Sequence, residues 1–452
     1  MSRVFFISSN VTVDPYPVYP LGMAVVSGAV KAAGHEVEQY DCLVNGDDIE
    51  KLRSRITTFM PDLISISLRN IDNVDSFSGE DAWYLARVKT LVAAIREFCP
   101  APIVVGGPAL TIMPEEIASY LEVDHAIIGE GEVALPQLVE KLARGEQVPQ
   151  VIERAAPLDG NAFSTPLFDP ELAPFYLEQS GMLNLQTKRG CPYRCTYCSY
   201  PHLEGNSFRR RDPELVIREL KSLKEKHGVE RIFFTDSVFN DPQGEYLKLC
   251  EAMIRNDIGI EWSAYFRPQG FGRDELQLMK RAGLYALELG PDAGCDRTLA
   301  GLDKKLTFAE VLAINEACLA ERMAAAHFVI FGGPEEDDDT LAEGLDNMDR
   351  LGASVVFGFS GIRIHPDSPL HQRAIDDGVI TAETSLLKPV YYFSPKIDRE
   401  KMEATIKTRF HGQKNRIFPP SEGTIRLEVM KNFGFRGLMW NSLVRFPKEG
   451  SA

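Results

Sequence analysis

Three cysteines stand within eight residues: Cys191, Cys195 and Cys198, in the run Lys188-Arg-Gly-Cys-Pro-Tyr-Arg-Cys-Thr-Tyr-Cys-Ser. Thiolates are soft ligands that suit iron–sulfur clusters and zinc. Gaps of three and then two residues let one loop wrap three corners of a cubane, leaving the fourth iron open for a small bidentate ligand. The competing reading is a zinc site completed by His202. Zinc sites usually pair two Cys-x2-Cys knuckles, and no second knuckle follows. The other five cysteines (Cys42, Cys99, Cys250, Cys295, Cys318) are scattered among apolar neighbours and read as small buried hydrophobes. Eight cysteines in 452 residues make no disulfide scaffold, which points to a reducing compartment.

Alternating strand-like and helix-like runs surround these cysteines. Residues 4–8, 35–40, 63–67, 103–105 and 124–128 read as short buried strands with helix-period segments between them. This βαβ rhythm predicts an α/β fold that opens with a doubly wound, Rossmann-like parallel sheet over residues 1–145. Ligands of such sheets sit beyond the carboxyl ends of the strands. Those ends are the loop 10–22, residues 67–70, Gly106-Gly107-Pro108 and Gly129-Glu130-Gly131-Glu132. Any one of these is most simply a turn, but four small-residue loops along one edge predict a binding face.

Residues 146–180 lack periodicity and carry Pro149, Pro157, Pro166, Pro170 and Pro174, a linker composition. A second series begins at 181, with strands expected at 183–188, 231–236, 260–266, 286–290, 325–331 and 354–364. Six strand–helix steps predict a partial (β/α)6 barrel over 181–375, with the cysteine loop directly after its first strand. Residues 376–452 form a small C-terminal cap in this reading. Its aromatic residues Tyr391, Tyr392 and Trp440, the last beside Met439, are either core or pocket lining.

A net charge of −16 repels a phosphate backbone and argues against nucleic acid as a partner. The basic run Arg209, Arg210, Arg211 is too short to reverse this and reads as a local anion contact or a solvated face. No apolar run approaches the roughly 20 residues of a membrane span. The opening MSRVFFISSN reads as a buried strand and not a signal peptide, so the expected location is cytoplasmic.

The cysteine segment resembles the radical S-adenosylmethionine superfamily, whose signature is Cys-x3-Cys-x2-Cys with an aromatic residue before the last cysteine. Tyr197 fills that position, and Gly190 precedes the first cysteine. The resemblance implies a [4Fe-4S] cluster on Cys191, Cys195 and Cys198. Its open iron would chelate S-adenosylmethionine, which an injected electron cleaves to methionine and a 5′-deoxyadenosyl radical. Implied S-adenosylmethionine contacts are Tyr197, Asp236 and Ser237 at the second strand end, and Arg267 at the third as a carboxylate partner. Asp292 stands where a strand-four pattern usually ends in Glu-Ser. Gly332 and Gly333 fall in Phe331-Gly-Gly-Pro-Glu335, which is similar to a fifth-strand Gly-x-Pro-x-Glu turn.

The preceding doubly wound domain resembles the cobalamin-binding radical subgroup, over about residues 1–375. The Asp-x-His-x-x-Gly motif is absent, as is usual there, which implies cobalamin without a lower histidine. Implied contacts are Leu21, Gly22, Gly106, Gly107, Gly129, Glu130, Gly131 and Glu132, with Ser65, Ser67, Leu68 and Asn70 under the lower face. Arg69 is the odd residue among them: it either approaches the cobalt or points to solvent. The implied activity is methylation of an unactivated carbon in a small-molecule or lipid-like substrate, fed by an external electron donor such as flavodoxin or ferredoxin. Segment 66–72 resembles members linked to lipid biosynthesis. Two alternatives stay open: a cobalamin-dependent cyclase or rearranging enzyme without methyl transfer, and a non-catalytic iron–sulfur or zinc protein. His365 and Asp367, in a turn that replaces Pro-Gly-Thr-x-Leu, either face the substrate or only shape the turn. No catalytic residue is assigned.

Overall fold

The computed structural model describes the chain except residues 14, 47, 80, 81, 439, 445 and 447–452. Six parallel strands build the first sheet: β1 (Arg3–Ser8), β2 (Glu36–Asp41), β3 (Leu63–Ser67), β4 (Ile103–Gly106), β5 (His125–Ile127) and β6 (Val151–Ile152). Their order is β2-β1-β3-β4-β5-β6. Helices cover both faces, so apolar residues of the central strands point both ways: Phe5, Ile7, Ile64 and Ile66 enter one core, and Val4, Phe6 and Leu63 the other. The chain order reverses between β1 and β3, which opens a crevice at their carboxyl ends.

β6 lies inside the proline-rich segment 146–180, which also forms the helix Ala173–Gln179. That segment is pressed against the domain. A Cβ added to Gly28, in the helix Leu21–Ala32, would stand 2.3 Å from the Thr165 carbonyl oxygen. Proline suits such a strap because most of its backbone joins no ladder and needs no N–H.

The second sheet has the order β17-β14-β13-β12-β11-β10-β7, all parallel. Its members are β7 (Leu183–Leu185), β10 (Arg231–Phe234), β11 (Glu261–Phe266), β12 (Ala286–Asp292), β13 (Ala324–Phe331), β14 (Val355–Ser360) and β17 (Arg416–Ile417). Two hairpins flank it: β8 (Lys188–Arg189) with β9 (Arg209–Arg210), and β15 (Ile362–Arg363) with β16 (Tyr391–Tyr392). Six strands follow in chain order, as a partial barrel requires. The seventh, β17, is recruited from the expected cap. The expected last strand, 354–364, splits at Gly361 (φ +73°), where an added Cβ would meet the Phe393 ring at 2.4 Å.

Local signals set the intervening helices. Pro213–His227 starts where Asp212 accepts from the Glu214 N–H (2.8 Å), takes proline first, and stops at Gly228 with φ +65°. The helix Trp440–Leu443 plugs the bottom of the barrel. Trp440 packs edge-on against Phe357 (5.0 Å between ring centres) and beside Ala286, Ala324 and Val355 at the strand amino ends. Trp440 and Tyr392 are therefore core residues and not pocket lining; Met439 lies outside the described residues. From the other side residues 16–19 reach into the barrel mouth. Tyr16 packs on Phe233, and the Tyr19 N–H donates to Asn184 Oδ1 (3.2 Å).

Candidate functional site

The cysteine loop leaves β8 at Gly190, whose φ of +87° and surroundings admit only glycine: an added Cβ would lie 2.1 Å from the Ser207 carbonyl oxygen. Ser237 Oγ donates to the Gly190 carbonyl (2.9 Å), the Cys191 N–H to that of Gly205 (3.0 Å), and the Thr196 N–H to that of Leu302 (3.0 Å). Cys191 is buried and the other two are half-buried. Burial pushes all three thiols up, Cys198 to about 12, so loading them as thiolates releases protons. Three soft donors on one tethered loop fit an iron–sulfur cluster. His202, the expected fourth zinc ligand, instead donates through Nε2 to the Thr111 carbonyl of the first domain (3.0 Å).

The expected S-adenosylmethionine residues divide into two groups. Tyr197 donates its hydroxyl to Asp292, which also pairs with the Lys304 ammonium; Lys304 is 8% exposed at its side chain. Burial lowers the Lys304 pKa, but Asp292 and Cys195 together more than offset this and leave it above the usual value. Arg267 stacks its guanidinium on Tyr193 (4.2 Å) and donates to Gln269 Oε1 and the Lys305 carbonyl, both at 2.9 Å. It thus braces the cysteine loop, and Lys304, which no motif marked, is the ammonium beside Tyr197.

Asp236 is fully enclosed, a correction to its expected ligand contact. It accepts from the Thr187 N–H (2.7 Å), the Thr187 hydroxyl and the Lys188 N–H (3.2 Å), which shapes the turn between β7 and β8. Gly332 (φ +85°) accepts from the Ser394 N–H (2.8 Å), and a Cβ there would press on Phe393 and Met402. Gly333 faces Ile362 in the same way. This turn docks the C-terminal segment. Glu336, pushed up to about 7 by burial, closes it on the Gly332 N–H, whereas Glu335 faces Arg373 and Lys396.

A cavity of about 560 Å³ lies between the first sheet's carboxyl edge and the barrel mouth. Leu21, Gly22, Ser65, Ser67, Asn70, Gly106 and Gly107 line one wall, and the loop 129–132 continues it. Leu68 is the exception. Its side chain is buried in the core, and only its carbonyl turns back, accepting from the Ala109 N–H (3.2 Å). Gly107 (φ +112°) must be glycine, because a Cβ would lie 2.4 Å from that carbonyl oxygen. An added Cβ on Gly22 would meet no atom of the described residues within 4 Å, so this glycine holds space open in the wall. Such an edge fits a broad planar ligand such as cobalamin.

The carboxylates of Glu130 and Glu132 are spent elsewhere, on Arg189 and Arg209. Burial raises the Glu130 pKa, but these arginines more than offset it and hold the group charged.

Across the cavity stand Arg189, Ser199, Tyr200, Phe233, Thr235 and Tyr265. Arg69 lines it too, and so does His365, whose imidazole burial pushes down to about 4 and whose Nδ1 has no partner among the described residues. Asp367 stays in the turn at φ +57°, a conformation that explains why related turns carry glycine there.

Two family models match the chain: the radical SAM superfamily over residues 185–347 and the B12 binding domain over residues 7–139. The chain is similar to tryptophan 2-C-methyltransferase of Streptomyces laurentii, 24% identical over 81% of this chain and 74% of that protein. It is also similar to the anaerobic magnesium-protoporphyrin IX monomethyl ester cyclase of Rubrivivax gelatinosus, 27% identical over 64% of this chain and 54% of that protein. Its fold matches that of TsrM, the radical S-adenosylmethionine methyltransferase from Kitasatospora setae, solved with cobalamin and a [4Fe-4S] cluster bound. The TM-score is 0.85 at 21% identity, covering 98% of each chain.

Proposed function

We propose, from the premise that this chain belongs to the cobalamin-binding radical S-adenosylmethionine enzymes, that it methylates a carbon atom of a small-molecule substrate. The observation that carries this reading is the shared cavity. Arg189, Ser199 and Tyr200, which flank the cysteine motif, line it together with the glycine edge of Gly22, Gly106 and Gly107.

When bound, the cluster supplies the electron that cleaves S-adenosylmethionine to methionine and a 5′-deoxyadenosyl radical, and cobalamin carries the methyl group. The protein's own part is to hold and enclose. Cys191, Cys195 and Cys198 are the cluster ligands, on a loop fixed by Gly190 and Ser237. Tyr197, Asp292 and Lys304 offer paired donors and an acceptor to the polar end of S-adenosylmethionine. The glycine edge with Leu21, Ser65, Ser67 and Asn70 receives cobalamin. The rings of Tyr200, Phe233 and Tyr265 form the substrate wall. An external flavodoxin or ferredoxin delivers the electron.

The cyclase relative favours a second reading, ring formation without methyl transfer. Methyl-labelled S-adenosylmethionine separates the two. The anaerobically reconstituted protein should release 5′-deoxyadenosine and pass label to product. Product without label would leave the cyclase reading, and no 5′-deoxyadenosine would sink radical chemistry altogether.

A further inference from the structure

We infer that Arg189 and Arg209 are positioning residues that lock the cluster hairpin onto the loop 129–132, so that the two cofactor domains work as one rigid unit. The inference rests on the cofactors proposed above. Arg189 and Arg209 are opposite each other in the β8–β9 pairing, which puts both on one edge. Arg189 reaches Glu130 (3.3 Å) and Glu132 (2.7 Å), and its Nε donates to Gln186 Oε1 (2.9 Å). Arg209 forks onto Glu130 at 3.1 and 2.5 Å and donates to the carbonyls of Leu158 (2.6 Å) and Glu204 (2.9 Å). Phe163, from the strap 146–180, lies against both guanidinium groups, at 4.1 and 5.5 Å from its ring centre. Gly160 of the same strap touches the hairpin so closely that a Cβ would lie 1.9 Å from the Arg210 carbonyl oxygen.

The loop 129–132 and the strap therefore close on the hairpin around four charged side chains that are each at most 15% exposed. Buried ion pairs add little net stability, because desolvation cancels most of the attraction. Their attested use is registry, since any other alignment leaves a buried charge unpaired. Here the register has a direct consequence. Arg189 is two residues from Cys191, and Glu130 and Glu132 continue the glycine edge that receives cobalamin. The clamp thus sets the separation of the two cofactors, and the fork geometry makes lysine a poor substitute. S-adenosylmethionine and substrate must be served within the one shared cavity, without a swing of the cobalamin domain.

The test is the magnetic interaction between the reduced cluster and cob(II)alamin, read by electron paramagnetic resonance in the full-length, doubly loaded protein. Wild type should give a sharp splitting, unchanged when a non-cleavable S-adenosylmethionine analogue binds. Arg189→Met should broaden it, and Arg189→Lys should broaden it partly. Should the arginine variants fail to load, Glu130→Gln with Glu132→Gln breaks the clamp from the other side and should broaden the signal likewise. A broad or ligand-dependent splitting in wild type, or a sharp one in every variant, would overturn the inference. Wild type that binds no cobalamin would instead remove the functional reading, and this inference with it.

Discussion

Glu288 offers the sharpest quantitative test of the packing. It is on β12 in the barrel lumen, 2% exposed, and accepts from the Tyr16 hydroxyl (3.1 Å) with Trp440 alongside. Burial raises its pKa to about 8 even though the hydrogen bond from Tyr16 pulls the other way; an ordinary glutamate titrates at 4.5. Between those values the folded chain holds a proton that the unfolded chain has lost. Stability from this group is therefore fully present below about pH 4.5 and is lost as pH rises through about 8. The slope is about 1.4 kcal/mol per pH unit, which makes the whole loss about 5 kcal/mol. Glu288→Gln keeps the shape and a carbonyl acceptor for Tyr16 but has no proton to lose. Urea unfolding of the cofactor-free chain, followed by fluorescence of the barrel residues Trp262 and Trp440, should show the variant gaining on wild type from pH 5.5 to 8.5. Parallel pH profiles for the two proteins, or a variant less stable than wild type at pH 8.5, would refute the assignment of a neutral buried acid.

Other outcomes follow from single contacts. Gly107→Ala places a methyl against the Leu68 carbonyl at φ +112°, a strain of about 1–3 kcal/mol that displaces the glycine edge; hydroxocobalamin titration should show binding about 5- to 150-fold weaker. Asp72→Ala strands Arg363, whose side chain is 1% exposed and 2.9 Å from that carboxylate, and should cost about 3–5 kcal/mol by thermal or urea unfolding. The double change Asp72→Leu with Arg363→Met should recover most of that loss. Lys304→Gln removes the cation paired with Asp292 and should lower 5′-deoxyadenosine release by about 10- to 100-fold, the value of one charge-assisted hydrogen bond, with cluster absorbance retained.

What the chain declares by itself is what short range determines. The three cysteines, the aromatic Tyr197 and Gly190 are contiguous, so their spacing alone states a cluster loop. Gly107 also announces a backbone conformation that side chains resist. The strand–helix alternation and its order were legible because apolar runs, caps and turn residues are local. Tertiary structure decided the rest. Leu68 sits among residues that line the cavity yet points into the core, since one step along a strand reverses the face. β6 and β17 are too short to stand out from loop composition, and each is a strand only because a sheet edge lies beside it. Asp236 carries the same carboxylate as Asp292, but packing buries one under the β7–β8 turn and presents the other to Lys304. Glu130 and Glu132 looked like ligand-edge residues until Arg189 and Arg209, more than fifty residues away, claimed them. Spacing along the chain carries no information about which distant charges meet; only the packing of two domains sets that register, and with it the distance at which the cysteine loop faces the glycine edge.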